Sequence, residues 1–242
     1  MSVVPYRVPD GFGRRKIVVD PGHGAPGNKG NVSAWCQDEQ DFTLSLARHL
    51  AATLRATGHF EVRLTRQTSD VPYPVRVREA EEWGADAFVS LHSDVRGASE
   101  PWSPREGVVC YRTDQAPGFA VLYSDEADPQ SVARRLRLAT VVAAKLSAAG
   151  FPAYDGAEYA RSYAPAPSGL GVFVDRHPSD KRIYVLRHAS MPAVLIETHN
   201  ALHGREAARF EEDATRQAFD AAVVAALLEV LAPAEGGSGR QE

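Results

Sequence analysis

Short runs rich in β-branched and aromatic residues alternate with longer segments of helical period along most of the chain. The runs at 16–20 (KIVVD), 60–65 (FEVRLT), 87–91 (AFVSL), 107–112 (GVVCYR), 182–187 (RIYVLR) and 193–197 (AVLIE) predict six strands. Helical spacing places helices near 39–57, 74–84, 129–149 and 204–232. In the first of these, Phe42, Leu44, Leu46, Leu50 and Leu54 supply the apolar stripe and Gly58 is a fitting stop. Strand alternating with helix predicts an α/β fold, with a twisted, mostly parallel sheet covered by helices on both faces. One domain over 14–232 accounts for the pattern. Residues 1–13 read as an irregular lead-in, and 233–242 (PAEGGSGRQE) as a tail too rich in Gly and Ser to pack, hence disordered.

With 242 residues, 44% of them hydrophobic, the chain can bury a sizeable core. A formal net charge of −4, with both signs interspersed, leaves no basic stripe for a phosphate backbone, so nucleic acid is excluded as the expected partner. No stretch approaches the roughly 18 uninterrupted apolar residues of a transmembrane segment, and MSVVPYRVPDGFGRRK lacks the apolar run of a signal peptide. Cys36 and Cys110 match no zinc knuckle or redox pair, and both are expected as buried or incidental thiols.

In parallel sheets, sites form beyond the carboxyl ends of the strands, where the loops converge. Applied here, that rule draws three side chains to one edge. The first strand ends at Asp20 and delivers His23 in a Pro-Gly-His-Gly turn; the third ends in SLHSD and delivers His92; the sixth ends in VLIETHN and delivers Glu197. Two histidines and a carboxylate make a catalytic zinc set that leaves the fourth position to water. The stretch CQDEQDF offers Asp38, Glu39 and Asp41 as that carboxylate, although acids at a helix start also serve the positive end of its dipole. At the end of an apolar strand, Glu197 is costly unless something needs it: either a salt bridge, with Arg187 as partner, or a general base. The remaining histidines, His49, His59, His177, His188, His199 and His203, read as surface or structural. His199 and His203 share a ligand-like spacing but lack the glutamate of the HExxH pattern.

Taken in order, IVVDPGHG, EQD at a helix start, VRLTR, ADAFVSLHSD and YVLRHASMPAVLIE resemble the zinc-dependent N-acetylmuramoyl-L-alanine amidases of the amidase type 3 family, from about Lys16 to Leu231. The resemblance implies a six-stranded twisted sheet and one zinc ion per chain, held by His23, Glu39 and His92, with Glu197 as the catalytic acid/base. It implies a structural part for Arg76 and room for substrate at the glycines around His23. The expected activity is hydrolysis of the amide between N-acetylmuramic acid and L-alanine, by a monomer acting on peptidoglycan or muropeptides at the cell wall. Where the family commonly reads Gly-Phe-Leu-Ser-Asn after the glutamate, this chain has THNALHG, which alters the wall beside the base. The stretch 153–180 is expected as a loop over the cleft. RGASEPWSPREG is too short and Pro-rich to be a plugging helix, so activity without an activator is expected. Two other readings stay open: a zinc hydrolase of related fold acting on another amide, and a non-catalytic peptidoglycan-binding module.

Overall fold

In chain order the strands are β1 (Arg15–Pro21), β2 (Phe60–Leu64), β3 (Ala87–Asp94), β4 (Glu100–Arg105), β5 (Val108–Arg112), β6 (Ala120–Tyr123), β7 (Tyr163–Pro165), β8 (Val172–Asp175) and β9 (Ala193–Asn200). The helices are α1 (Glu39–Ala56), α2 (Tyr73–Trp83), α3 (Pro129–Ala148), α4 (Tyr184–His188), α5 (Gly204–Arg209) and α6 (Asp213–Val230). The structure is a computed structural model, and it describes residues 1–68, 70–159, 162–169 and 171–233. Seven strands form one sheet in the order β2-β1-β3-β9-β6-β8-β7, while β4 and β5 make a separate antiparallel hairpin. Pairing is parallel from β2 through β1 and β3 to β9 and between β6 and β8; β6–β9 and β7–β8 are antiparallel.

The central strands are apolar on both faces because helices cover both. Ile17 and Val19 of β1 join a core with Leu46, Leu50 and Leu54 of α1, whereas Val18 between them joins a second core with Val77 of α2 and Leu186 of α4. At the edge, β2 instead alternates, burying Phe60 and Val62 and exposing Glu61 and Arg63. Leu46, Leu50 and Leu54 have no exposed surface, and each contributes about 1.5–3 kcal/mol by leaving water. The start of α1 is capped by backbone: Glu39 N donates to Asn31 O at 2.9 Å and Gln40 N to Lys29 O at 3.0 Å. That contact fixes Glu39 on the first turn against the loop before it.

Three predicted elements take another form. RIYVLR is not a strand: Ile183 N donates to the buried Asp175 carboxylate at 2.7 Å, which turns the chain into α4, and Val185 and Leu186 then pack toward α2. The run at 107–112 is a strand, β5, but it belongs to the hairpin. The segment 204–232 splits into α5 and α6 because Phe210 inserts between Phe42, Phe151 and Phe219. The sheet reaches seven strands through β6, β7 and β8, whose short, fully buried or edge runs carry too little periodicity to read. Two of them, β7 and β8, lie inside 153–180, so that stretch is not a plain loop. Cys36 and Cys110 are not thiols; a disulfide joins them with Cα atoms 5.6 Å apart and ties β5 to the loop before α1. The lead-in has no regular structure but is docked, with Phe12 buried and Ser2 N donating to Ala149 O at 2.9 Å. Of the expected disordered tail, residues 234–242 lie outside the described residues. No described helix is long and apolar enough to cross a membrane.

Candidate metal centre

Parallel pairing brings the ends of β1, β3 and β9 to one edge, and the turn after β1 is held there by two arginines. Arg76 has no exposed surface; it donates to Asp20 Oδ1 at 3.0 Å, Pro21 O at 3.0 Å and His23 O at 2.6 Å. Arg66 donates to Pro21 O at 3.0 Å, Gly22 O at 3.0 Å and Gln40 O at 2.7 Å. Asp20, also buried, accepts from Thr65 and Ser90 as well. His23 itself sits at φ 59°, a conformation rare for a residue with a side chain, so this clamp holds real backbone strain. The glycines make room for the site's own side chains. A Cβ at Gly22 would strike the His92 ring, and one at Gly24 would lie 2.8 Å from the Arg66 guanidinium. Space for substrate, the expected reason for them, is not what these contacts show.

Glu39 stands between the two histidines. His23 Nε2 lies 3.0 Å from Glu39 Oε2 and His92 Nδ1 3.2 Å from Oε1, with the imidazole centroids 4.7 Å apart. The carboxylate also accepts from Asn31 N at 3.0 Å, Asn31 Nδ2 at 2.8 Å and Ser93 N at 2.9 Å. Burial would raise this carboxyl, but the hydrogen bonds from His23 and His92 outweigh it and hold Glu39 below the usual carboxylate range. Burial likewise works against charge on His23, yet Glu39 beside it leaves that pKa raised. On the outer side, His23 Nδ1 is 2.8 Å from Asn28 Oδ1, whose amide group donates to Tyr73 Oη at 3.0 Å. An amide oxygen only accepts, so Nδ1 carries a proton, and Nε2, which donates to Glu39 here, is the nitrogen that would face a metal once it gives up its own proton.

One ligand atom from each of His23, Glu39 and His92 falls within 4.8 Å of the others. Two imidazoles and a carboxylate, with His23 and Glu39 held by a second layer of hydrogen bonds, match the donor set of a catalytic zinc ion. Asp38 and Asp41 do not join them: Asp38 pairs with Lys29 at 3.3 Å, and Asp41 is exposed on the first turn of α1.

Across the sheet, the Cα atoms of His92 and Glu197 are register partners. Glu197 is 8% exposed, and its Oε2 is buried without a hydrogen-bond partner among the described residues. Burial, and then the nearby Asp94 and Glu39, push this carboxyl well above its ordinary value, with Arg96 opposing. The alternative of a salt bridge to Arg187 fails, since Arg187 pairs with Glu126 at 2.9 Å. His23, His92 and Glu197 line one cavity of about 350 Å³, with Tyr73, Tyr163 and Arg182 among its other walls. Tyr163 comes from β7, so the 153–180 stretch does reach the cleft.

Of the other histidines, His49 pairs with Asp220 at 2.6 Å, His177 with Asp175 at 2.8 Å, and His188 stacks on Tyr184. His199 and His203 are not on one helix: the first lies in β9 and the second caps α5. Sequence reasoning missed Asn28, Asn31 and Arg66. Only Arg66 carried a signal, as a charged residue directly after a predicted strand.

The model of the family described as N-acetylmuramoyl-L-alanine amidase matches residues 17–229. AmiC, an N-acetylmuramoyl-L-alanine amidase of Escherichia coli, is 36% identical over 86 residues, which are 35% of this chain and 20% of that one. The matched stretch is thus about a fifth of that curated relative's length. The crystal structure of the amidase Ami1 from Mycobacterium smegmatis has the same fold, with a TM-score of 0.68 at 21% identity over 91% of this chain and 98% of that one. Ami1 from Mycobacterium abscessus gives a TM-score of 0.68 at 22% identity, over 90% and 99%.

Proposed function

The chain belongs to the N-acetylmuramoyl-L-alanine amidase family, and on that premise we propose that it hydrolyses the amide joining N-acetylmuramic acid to the L-alanine of the peptidoglycan stem peptide, as a zinc-dependent monomer acting at the cell wall. The observation that carries this reading is the convergence of His23, Glu39 and His92 at one sheet edge, with the unpartnered carboxylate oxygen of Glu197 in the same cavity. Zinc held by His23, Glu39 and His92 would supply the Lewis acidity that polarises the scissile carbonyl and makes a water acidic enough to attack. Glu197 Oε2 takes a proton from the attacking water and then delivers it to the departing L-alanine amine. A carboxyl pushed up by burial suits both steps, because it binds the proton firmly enough to carry it and releases it to a more basic nitrogen. Tyr163 lines the same cavity with its phenol pushed up by burial, so at neutral pH it remains an O–H donor for the substrate. Asn28 holds His23, Asn31 and Ser93 hold Glu39, and Glu39 in turn meets His92, so little reorganisation accompanies the reaction.

Incubating the protein with purified muropeptides, with and without a chelator, and weighing the products by mass spectrometry tests the reading. Free stem peptide and peptide-free glycan should appear only without chelator. Intact muropeptides after incubation with zinc-loaded protein would overturn it.

A further inference from the structure

A second cavity, of about 570 Å³, adjoins the candidate metal centre without sharing its cleft. It lies between the start of α1 and the end of β9, with Trp35, Asp38, Asp41, Phe42, His199 and Glu211 among its walls. Glu39 is the partition: its side chain lines this cavity, while its carboxylate oxygens meet His23 and His92.

His199 gives this space a chemical preference. Its ring is 3% exposed, stacked on Phe210 at 4.7 Å and edge-on to Phe42 at 5.1 Å. The Thr198 hydroxyl donates to His92 O at 2.9 Å and lies 2.9 Å from His199 Nδ1. A hydroxyl has one hydrogen, so toward His199 this oxygen accepts, and the imidazole carries its proton on Nδ1. Nε2 is left as a lone pair, and no donor among the described residues bonds to it. With His199 on the cavity wall, that nitrogen is an acceptor available to a ligand there. Burial, followed by Arg96, keeps the ring neutral with a pKa of about 3, so the site does not supply a proton of its own.

The carboxylates point to the same ligand. Asp38 is matched by Lys29 at 3.3 Å and Glu211 by Arg216 at 2.9 Å, but Asp41 has neither a side-chain hydrogen bond nor an ion pair among the described residues. The walls therefore present a lone pair and a carboxylate that no cation among the described residues meets directly, with Arg66 acting on it through space. Trp35, 47% exposed beside Trp102, adds an apolar surface. A ligand that answers all three brings N–H donors, positive charge and an aliphatic stem.

We propose that this cavity is a subsite for a protonated primary amine of the substrate, with its N–H groups directed at His199 Nε2 and Asp41 and its carbon chain against Trp35. Resting on the amidase reading for the ligand's identity, the amine is that of a diamino acid within the stem peptide.

Calorimetric titration of the purified protein with L-alanyl-γ-D-glutamyl-L-lysine and with its Nε-acetyl derivative tests this without requiring turnover. The free amine should bind about tenfold or more tightly, the scale of one charged hydrogen bond. Asp41→Asn, on the exposed first turn of α1, should reduce that ratio toward one, as should His199→Phe, which keeps the ring stack and removes the lone pair. If His199→Phe does not fold, Asp41→Asn still decides. Equal binding of the two peptides by the unaltered protein would overturn the proposal. So would displacement of the free-amine peptide by a peptide-free disaccharide of the glycan strand that leaves Asp41→Asn unaffected, since the cavity would then read sugar. Hydrolysis of muropeptides without an amine preference removes the subsite and leaves the amidase reading; a preference without hydrolysis does the reverse.

Discussion

Glu39 and Glu197 are both buried carboxylates at the same sheet edge, and the protein treats them in opposite ways. Both oxygens of Glu39 are engaged, by two imidazoles, two backbone amides and the Asn31 side chain. Glu197 has an oxygen without a hydrogen-bond partner among the described residues, and its neighbours Asp94 and Glu39 repel its charge. A carboxylate wired from every side is fixed in place and ionised, as a ligand must be. One left unwired and disfavoured as an anion has affinity for a proton, as a general base must. Environment, not residue type, divides the two proposed roles.

Substituting each glutamate in turn is the strongest way to break that contrast. Glu39→Gln removes the charge of the proposed ligand, so zinc content and hydrolysis should fall together. Glu197→Gln should keep zinc and fold yet lower turnover by about 10²–10⁴-fold, the range of a missing general acid/base. Elemental analysis beside a muropeptide assay reads both. Near-normal turnover in Glu197→Gln would give the unbonded oxygen another purpose, and zinc retained in Glu39→Gln would take the wired carboxylate out of the ligand set.

Much of this contrast was legible in the sequence because it hangs on strand ends. β1, β3 and β9 are long, apolar and parallel, so their final residues, and with them His23, His92 and Glu197, could be placed at one edge from pattern alone. What stayed hidden depends on contacts between distant segments. Nothing local in RIYVLR announces that Asp175 will take the Ile183 N–H and start a helix. Nothing in GNKGN announces that Asn28 and Asn31 will steer His23 and Glu39. The disulfide was invisible for the same reason, since Cys36 and Cys110 meet only once the hairpin folds over the loop, 74 residues apart in sequence.

Arg76 tests whether the rigid half of the comparison depends on its clamp. Arg76→Met would leave Asp20 buried with only the Thr65 and Ser90 hydroxyls for company, and losing one partner of a buried ion pair costs about 3–5 kcal/mol. Chemical denaturation should show a loss of that size. A change under about 1 kcal/mol would mean that Asp20 tolerates the loss and that the strained His23 turn is held by Arg66 and the glycines instead.

The Cys36–Cys110 bond anchors the loop that carries Asn31 to Glu39, so it bears on the same half less directly. Replacing both cysteines by serine should lower stability by about 2–4 kcal/mol, read by thermal or chemical unfolding. Zinc content should persist, because Asn31 and Ser93 still donate to Glu39. If zinc departs with the disulfide, the carboxylate's position depends on the covalent tie and not on its own hydrogen bonds.

The smallest expected effect is the sharpest test of which acid at the α1 start is the ligand. Asp38 precedes Glu39 by one residue and has the same bland explanation, a negative charge at the positive end of the helix. Its side chain makes no capping hydrogen bond, is partly exposed, and meets Lys29 at 3.3 Å and neither histidine. Asp38→Asn should therefore cost no more than about 1 kcal/mol, the sum expected of an exposed ion pair and a dipole contact. Zinc content should not change. Measured by elemental analysis in the same preparation series as Glu39→Gln, an unchanged metal content would isolate the ligand to one residue of two adjacent acids. Loss of zinc from Asp38→Asn would move the ligand one position toward the N-terminus. The hydrogen bonds now joining Glu39 to His23 and His92 would then read as orienting contacts behind the true donor, and the division between a wired ligand and an unwired base would have to be redrawn.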